Sequence, residues 1–274
     1  MGLRLKCLPA NNVVNNGVAT IDLSSLLGTT VERIALQLGG TALTKAMLTS
    51  IQMKANGKII YDTSGSRVDT RMQYRGITAN AGFLVLDFSE IRSKTELGQS
   101  LGSLDTTMGV TSLKLEITIA GATAPTLQAW AEVDRPQVDA AQSSTRGLIA
   151  RVHSSNQTIG GSGQFSISVP HFTPTEGGSI YKRIAIFSAN MTGLLIKKNG
   201  VVVEENVKAL NDYQQQEYRK VPQAGLYMMD FITDDNQSQA LNTRDAQTME
   251  ILGTFSAGET IVIEVEVLEP LGVF

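Results

Sequence analysis

The sequence predicts an all-β chain built from two tandem copies of one eight-stranded antiparallel sandwich. Three observations predict it: an internal repeat, an Asn-Gly pair between apolar runs in each half, and short β-prone segments at regular spacing. The repeat is clearest at Tyr218-Arg219, Ala224-Gly225, four apolar residues and Asp230-Phe231. It is matched by Tyr74-Arg75, Ala81-Gly82, four apolar residues and Asp87-Phe88. The two Asp residues lie 143 positions apart and the two Tyr residues 144, which predicts one residue of loop length between the copies.

Further matches extend it in both directions. Glu32 to Leu36 answers to Lys182 to Ile186, and Met53 to Ile60, around Asn56-Gly57, to Ile196 to Val203, around Asn199-Gly200. Downstream, Leu104-Asp105-Thr106 pairs with Leu241-Asn242-Thr243, Leu113 to Ile117 loosely with Met249 to Ile251, and Glu132 to Pro136 with Glu266 to Pro270. The offset drifts from 150 to 134, with each change in loop-like sequence. Collinear matches of this kind describe a duplicated domain, with residues 1–140 as one copy and 141–274 as the other.

In chain order, Leu3 to Leu8 alternates apolar and polar, predicting a strand with one buried face. Cys7 reads as a small apolar residue of that strand. Pro9 to Gly17 is turn chemistry, and Val18 to Leu23 and Val31 to Leu38 are strands. Thr41 to Ser50 has mixed spacing that suits a short helix. Asn56-Gly57 then joins Ile51–Ala55 to Lys58–Asp62 as a hairpin, since both turn positions need positive φ. The apolar run Phe83 to Phe88 predicts a central strand covered on both faces. Glu90 to Leu101 reads as a loop with a helical turn, and Ser112–Ala120 and Thr126–Val133 as strands, with Trp130 in the core. Polar, Ala/Ser-rich Gln137 to Thr145 is the expected linker.

The second copy opens with Leu148 to His153, turns at Gly160 to Gly163 and continues at Phe165 to Val169. Val207 to Gln216 predicts a helix, and Gln247–Leu252 and Thr260–Leu268 finish the sheet, with Glu264 and Glu266 on one polar face. Eight strands per copy with an intervening helix favour the jelly roll over the smaller immunoglobulin-like sandwich. The expected fold is therefore two tandem eight-stranded antiparallel jelly rolls, with short helices in loops.

Composition narrows the function. With 23 Lys+Arg against 26 Asp+Glu, the chain offers no basic stripe, so no specific nucleic-acid partner is expected. A single cysteine excludes an intrachain disulfide framework, and no apolar run reaches the length of a membrane helix. The first ten residues are too short and polar for a secretory signal.

No catalytic, cofactor-binding or metal-ligating residue is assigned. His153 and His171 are too few for a cupin metal site, and Gly160 to Gly163 is neither a phosphate loop nor a nucleophile elbow. Thr233-Asp234-Asp235-Asn236-Gln237 is a cluster of oxygen side chains without EF-hand spacing, and reads as a solvated loop. Asp87 and Asp230 close equivalent strands and read as structural turn residues rather than an acid/base pair.

The repeat, together with Tyr181 to Ile186, Gln216 to Phe231 and the ending from Glu264 to Phe274, resembles a known family. It is similar to major capsid proteins of the double jelly-roll lineage, in the compact corticovirus-like type of tailless icosahedral bacteriophages with an internal membrane. The resemblance implies a non-enzymatic structural protein without cofactors, found in the virion capsid and assembled in the host cytoplasm. Its implied partners are itself, as homotrimer and as neighbouring trimers, then vertex (penton) and minor membrane-associated capsid proteins, and the internal lipid membrane. Three two-domain chains present six similar jelly rolls around one axis, a pseudo-hexagonal block suited to tiling an icosahedral facet. Two alternatives remain on the residues alone. A jelly-roll enzyme (bicupin or hydrolase) requires a metal or acid/base cluster, and a glycan-binding adhesin requires paired exposed aromatics.

Overall fold

The computed structural model describes residues 2–135, 147–170 and 179–270. The expected linker 137–145 and His171 lie outside these residues. The chain forms two compact units, one of Met1–Gln73, Ile77–Val152 and Glu269–Phe274, the other of Tyr74–Gly76 and His153–Leu268.

In the first unit the order is β1 (Leu3–Lys6), β2 (Gly17–Asp22), β3 (Thr30–Thr41), β4 (Leu48–Ala55), β5 (Lys58–Thr63) and α1 (Gly65–Tyr74, its last residue counted with the second unit). Then come β6 (Phe83–Asp87), α2 (Glu96–Ser100), β7 (Leu104–Asp105), β8 (Leu113–Ile119) and β9 (Ala124–Asp134). One antiparallel sheet runs β1-β9-β3-β6, with the two-residue β7 also on β3, and the other runs β2-β8-β4-β5. Counting the eight principal strands, these orders are 1-8-3-6 and 2-7-4-5, the jelly-roll arrangement. Alternate residues turn inward. Ile34, Leu36, Leu84, Leu86, Ala129 and Ala131 are buried from the first sheet, and Ile51, Met53, Leu115 and Ile117 from the second.

The second unit repeats this order. It contains β10 (Leu148–Ile159, from His153 on), β11 (Gly163–Ser166), β12 (Ile180–Phe187), β13 (Met191–Lys198), β14 (Val201–Val207) and α3 (Lys208–Glu217). After these come β15 (Leu226–Asp230), β16 (Leu241–Asn242), β17 (Met249–Phe255) and β18 (Glu259–Pro270, to Leu268). Its sheets run β10-β18-β12-β15, with two-residue β16 on β12, and β11-β17-β13-β14. The core is continuous across Ile184, Ile186, Ile196, Tyr227, Ile261, Ile263, Val265 and Val267.

The duplication reaches fine backbone detail. β3 slips register between Val31 and Arg33 against β9, and β12 slips between Tyr181 and Arg183 against β18. The hairpins slip at Met53/Lys54 and at Ile196/Lys197, and a third shift falls at Leu48/Ser50 and at Met191/Gly193. Bulges change twist and re-aim side chains, so their retention keeps both copies on one backbone plan. Thr106 and Thr243 repeat a further device. Each backbone N–H and hydroxyl bonds one carbonyl, of Thr29 or Ser179, and each hydroxyl accepts that residue's N–H.

Both Asn-Gly pairs occupy the predicted hairpin turns, with φ of 49° and 80° at Asn56-Gly57 and 53° and 77° at Asn199-Gly200. The Asn side chains add a second role. Asn56 Oδ1 accepts from the N–H groups of Thr111 and Ser112, and Asn199 Oδ1 from those of Gln247 and Thr248. A Cβ at either glycine meets nothing within 4 Å, so substitution costs backbone strain rather than a clash. Gly57→Val and Gly200→Val are each expected to cost at least about 1–2 kcal/mol, the left-handed penalty of an L-residue, more for a β-branched one. Thermal melts check this; an unchanged midpoint in both variants contradicts the turn assignment.

Several expectations change. β1 lies at a sheet edge, pairs with β9 alone among the described residues, and exposes all four residues instead of burying one face; Cys7, just beyond it, is buried. β6 is also an edge strand, and Phe83 is 40% exposed, whereas its counterpart β15 is buried along Leu226–Met229. An apolar run reports that something covers a strand, not that the covering belongs to its own sheet. The segment Thr41 to Ser50 forms no α-helix but a 3-10 turn at Lys45–Met47 that leads into β4. The helices α1 and α3 both have ten residues and end with left-handed Gly76 and Arg219, 143 positions apart. The offset is therefore constant from turn to strand end, and Tyr218 stands where Arg75 stands, not Tyr74. The apparent extra loop residue was a chance neighbour of two tyrosines.

Candidate functional site

The duplicated chemistry converges on the outer face of one sheet in each unit. On β3, Arg33 lies between Asp87 of β6 and Glu132 of β9 in register. Directly opposed residues bring their Cβ atoms to about 4.5–5.5 Å, which suits an acid–base–acid row. Arg33 donates to Asp87 Oδ1 from Nε at 2.9 Å and Nη2 at 2.7 Å, and its Nη1 lies 3.6 Å from Glu132. Arg4 of β1 donates to the other oxygen of Glu132 at 2.8 Å.

Along the same face stand Ala35, Val85 and Trp130, then Gln37, Phe83 and Gln128. Trp130 is not in the core. It is 39% exposed, with its Nε1 donating to Gln37 and the Lys6 ammonium 5.6 Å from its ring. An inward position was expected because sequence alternation alone does not say which face meets the core. Neighbouring Ala129 and Ala131 take the inward positions.

In the second unit the same row is Asp230, Arg183 and Glu266, from β15, β12 and β18. Arg183 lies 3.1 Å from Asp230 and 2.8 Å from Glu266, and all three are buried, Asp230 by its side chain. Glu264 and Glu266 do share a face, as expected, but it is buried rather than solvated. Two residues from the end of α1 are part of this unit's cover. The Tyr74 hydroxyl donates to Asp230 Oδ2 at 3.0 Å, and Arg75 lies 3.4 Å from Glu266. The Tyr74 ring packs with Ala185, Leu226 and Met228. Burial, followed by the charge of Asp230, pushes the Tyr74 phenol far above its ordinary value.

Below pH about 10, the ordinary phenol value, this tyrosine stabilises the fold; above it the unfolded chain ionises first and stability falls. Tyr74→Phe is expected to flatten that alkaline loss while costing about 1.5–3 kcal/mol at neutral pH, as for a hydrogen bond to a charged group. Melting midpoints from pH 7 to 11 check it. A slope identical to wild type contradicts the assignment; some slope remains because burial also raises Tyr227.

No group of three or more His, Cys, Asp or Glu is positioned for a metal among the described residues. The Asp234-Asp235 cluster is a turn, in which Asp235 receives the Lys220 ammonium at 2.7 Å and Asp234 accepts from the Asn236 N–H. Asp230 serves a turn as well, accepting from the Ile232 N–H at 3.1 Å. Among the described residues, no helix is long and apolar enough to cross a membrane.

Comparison with known proteins agrees with this architecture. Residues 4–134 match the viral coat protein P2 N-terminal domain, and residues 149–271 match the viral coat protein P2 C-terminal domain. No curated protein sequence matches the chain. Among solved structures, the major capsid protein P2 from bacteriophage PM2 shares 19% identity, over 98% of both chains, at a TM-score of 0.85. The STIV MCP follows at 15% identity and TM-score 0.71, covering 98% of this chain and 96% of its own. The PBCV-1 virus capsid shares 12%, at 0.60, over 97% and 92%. These likenesses establish the double jelly-roll fold.

Proposed function

From the premise that this chain belongs to the viral coat protein P2 family, we propose that it is a major capsid protein whose homotrimers tile the icosahedral shell of a phage over an internal membrane. The observation that carries the reading is the duplicated eight-strand order with one unlike surface. The Arg-centred outer face is buried in the second unit, and its equivalent in the first unit carries exposed Phe83 and Trp130. Two equivalent domains in one chain let three copies present six, and a ring closes its own interfaces without open-ended growth. We divide the chain at residues 140 and 141, a boundary supported by the repeat and by the two family domains. The assembly role is non-enzymatic. Neighbouring trimers, vertex proteins and minor membrane-associated proteins are its partners, and the trimers assemble in the host cytoplasm.

Light scattering of freshly purified protein, with negative-stain imaging, tests the reading. A trimer with a pseudo-hexagonal outline is expected. A stable monomer at micromolar concentration, with no larger assembly at any salt concentration, contradicts it.

A further inference from the structure

The two units differ in what lies on equivalent faces. In the second unit, Ala185, Leu226 and Met228 are covered by Tyr74, the last residue of α1, and Arg75 follows it to Glu266. The register-equivalent residues of the first unit are Ala35, Phe83 and Val85, with Glu132 in the place of Glu266. The residues equivalent to Tyr74 and Arg75 are Glu217 and Tyr218 at the end of α3, and Tyr218 is 53% exposed.

We propose that Glu217 and Tyr218 of one copy seat on this outer face of a second copy's first unit, against Phe83 and Trp130, as Tyr74 and Arg75 seat in the second unit. The inference rests on the self-association proposed above and names its contact. Both sides change charge in step. The second unit's face carries Asp230, Glu264 and Glu266, and receives the cation Arg75. In the first unit Asp87 and Glu132 are kept, but Trp130 replaces Glu264, and Arg4 and Lys6 of β1 border the row on β9. That more basic, aromatic face receives the anion Glu217 and the ring of Tyr218. The Tyr218 hydroxyl then donates toward Glu132, where the Arg75 guanidinium donates toward Glu266. Tyr and Trp are the side chains that most often dominate such contacts. Because the helix end of one domain meets the sheet of another, the contact is heterologous, and repeating it around an axis closes a ring.

The test places Tyr218→Cys and Trp130→Cys in one full-length chain and treats it with a short bis-maleimide. Cys7 contributes little background, because burial raises its thiol to about 11. Denaturing gels are expected to show two-chain and three-chain species for the double variant and one-chain species for each single variant. Self-linking of Tyr218→Cys alone points to an isologous contact and overturns the proposal. If the double variant fails to fold, Tyr218→Ala serves, since the side chain is exposed. It is expected to weaken association at least tenfold with an unchanged melting point, and undiminished association overturns the proposal. A double variant that stays trimeric without the 218–130 link refutes this contact and leaves the shell reading intact. A monomeric wild type refutes both.

Discussion

Replacing Arg183 with Met is expected to destabilise the protein by about 3–5 kcal/mol, the cost of leaving buried charge uncompensated. Asp230 and Glu266 flank this guanidinium at 3.1 and 2.8 Å, and the Asp230 side chain is fully buried. Methionine fills much of the volume and removes the cation that bridges the two. Arg75, 3.4 Å from Glu266, keeps a second cation beside that carboxylate. The duplicated site supplies an internal control. Arg33 makes the same contacts with Asp87 and Glu132, but all three side chains retain some access to water, most of all Glu132. Solvent screens such a row, so Arg33→Met should cost clearly less. The double variant Arg183→Met/Asp230→Leu should recover part of the single loss, because an apolar pair removes both charges together. Melting midpoints of the three variants against wild type decide it; equal losses at Arg33 and Arg183 contradict the assigned burial difference.

Truncation of Phe88 should be the other large effect. Its ring is fully buried and packs edge-on against Tyr61, with centroids 5.7 Å apart. Phe88→Ala is therefore expected to cost about 3–5 kcal/mol, combining lost transfer energy with the cavity left behind. The repeat places Phe231 at the equivalent position, yet it is only partly buried at the margin of the second core. Phe231→Ala should cost less. Calorimetry of both variants checks the order, and a larger loss at Phe231 contradicts it.

Much of the fold was legible because duplication makes the chain its own reference. Asn56-Gly57 and Asn199-Gly200 announce their turns, since a two-residue hairpin loop requires positive φ at both positions. Glu32 to Leu36 and its match carried the arginine of each outer row, and Asp87, Asp230, Glu132 and Glu266 were all in matched segments. Their convergence was not legible, because each row joins three strands distant in sequence, and register alone brings them together.

By itself the sequence determined the all-β class, the two copies, their hairpins, the helix at Val207 to Gln216, and the resemblance to capsid proteins; α1 and its place in the fold came only from the structure. Those properties follow from local backbone chemistry and from a pattern present twice in one chain. Only the tertiary structure decided which faces are covered. Phe83 to Leu86 and Leu226 to Met229 look alike as apolar runs, yet Phe83 is exposed and Leu226 to Met229 are buried. Trp130 points outward while Glu264 and Glu266 are buried. Alternation gives the period of a strand but not the layer lying against it, and that layer comes from residues far away in the chain.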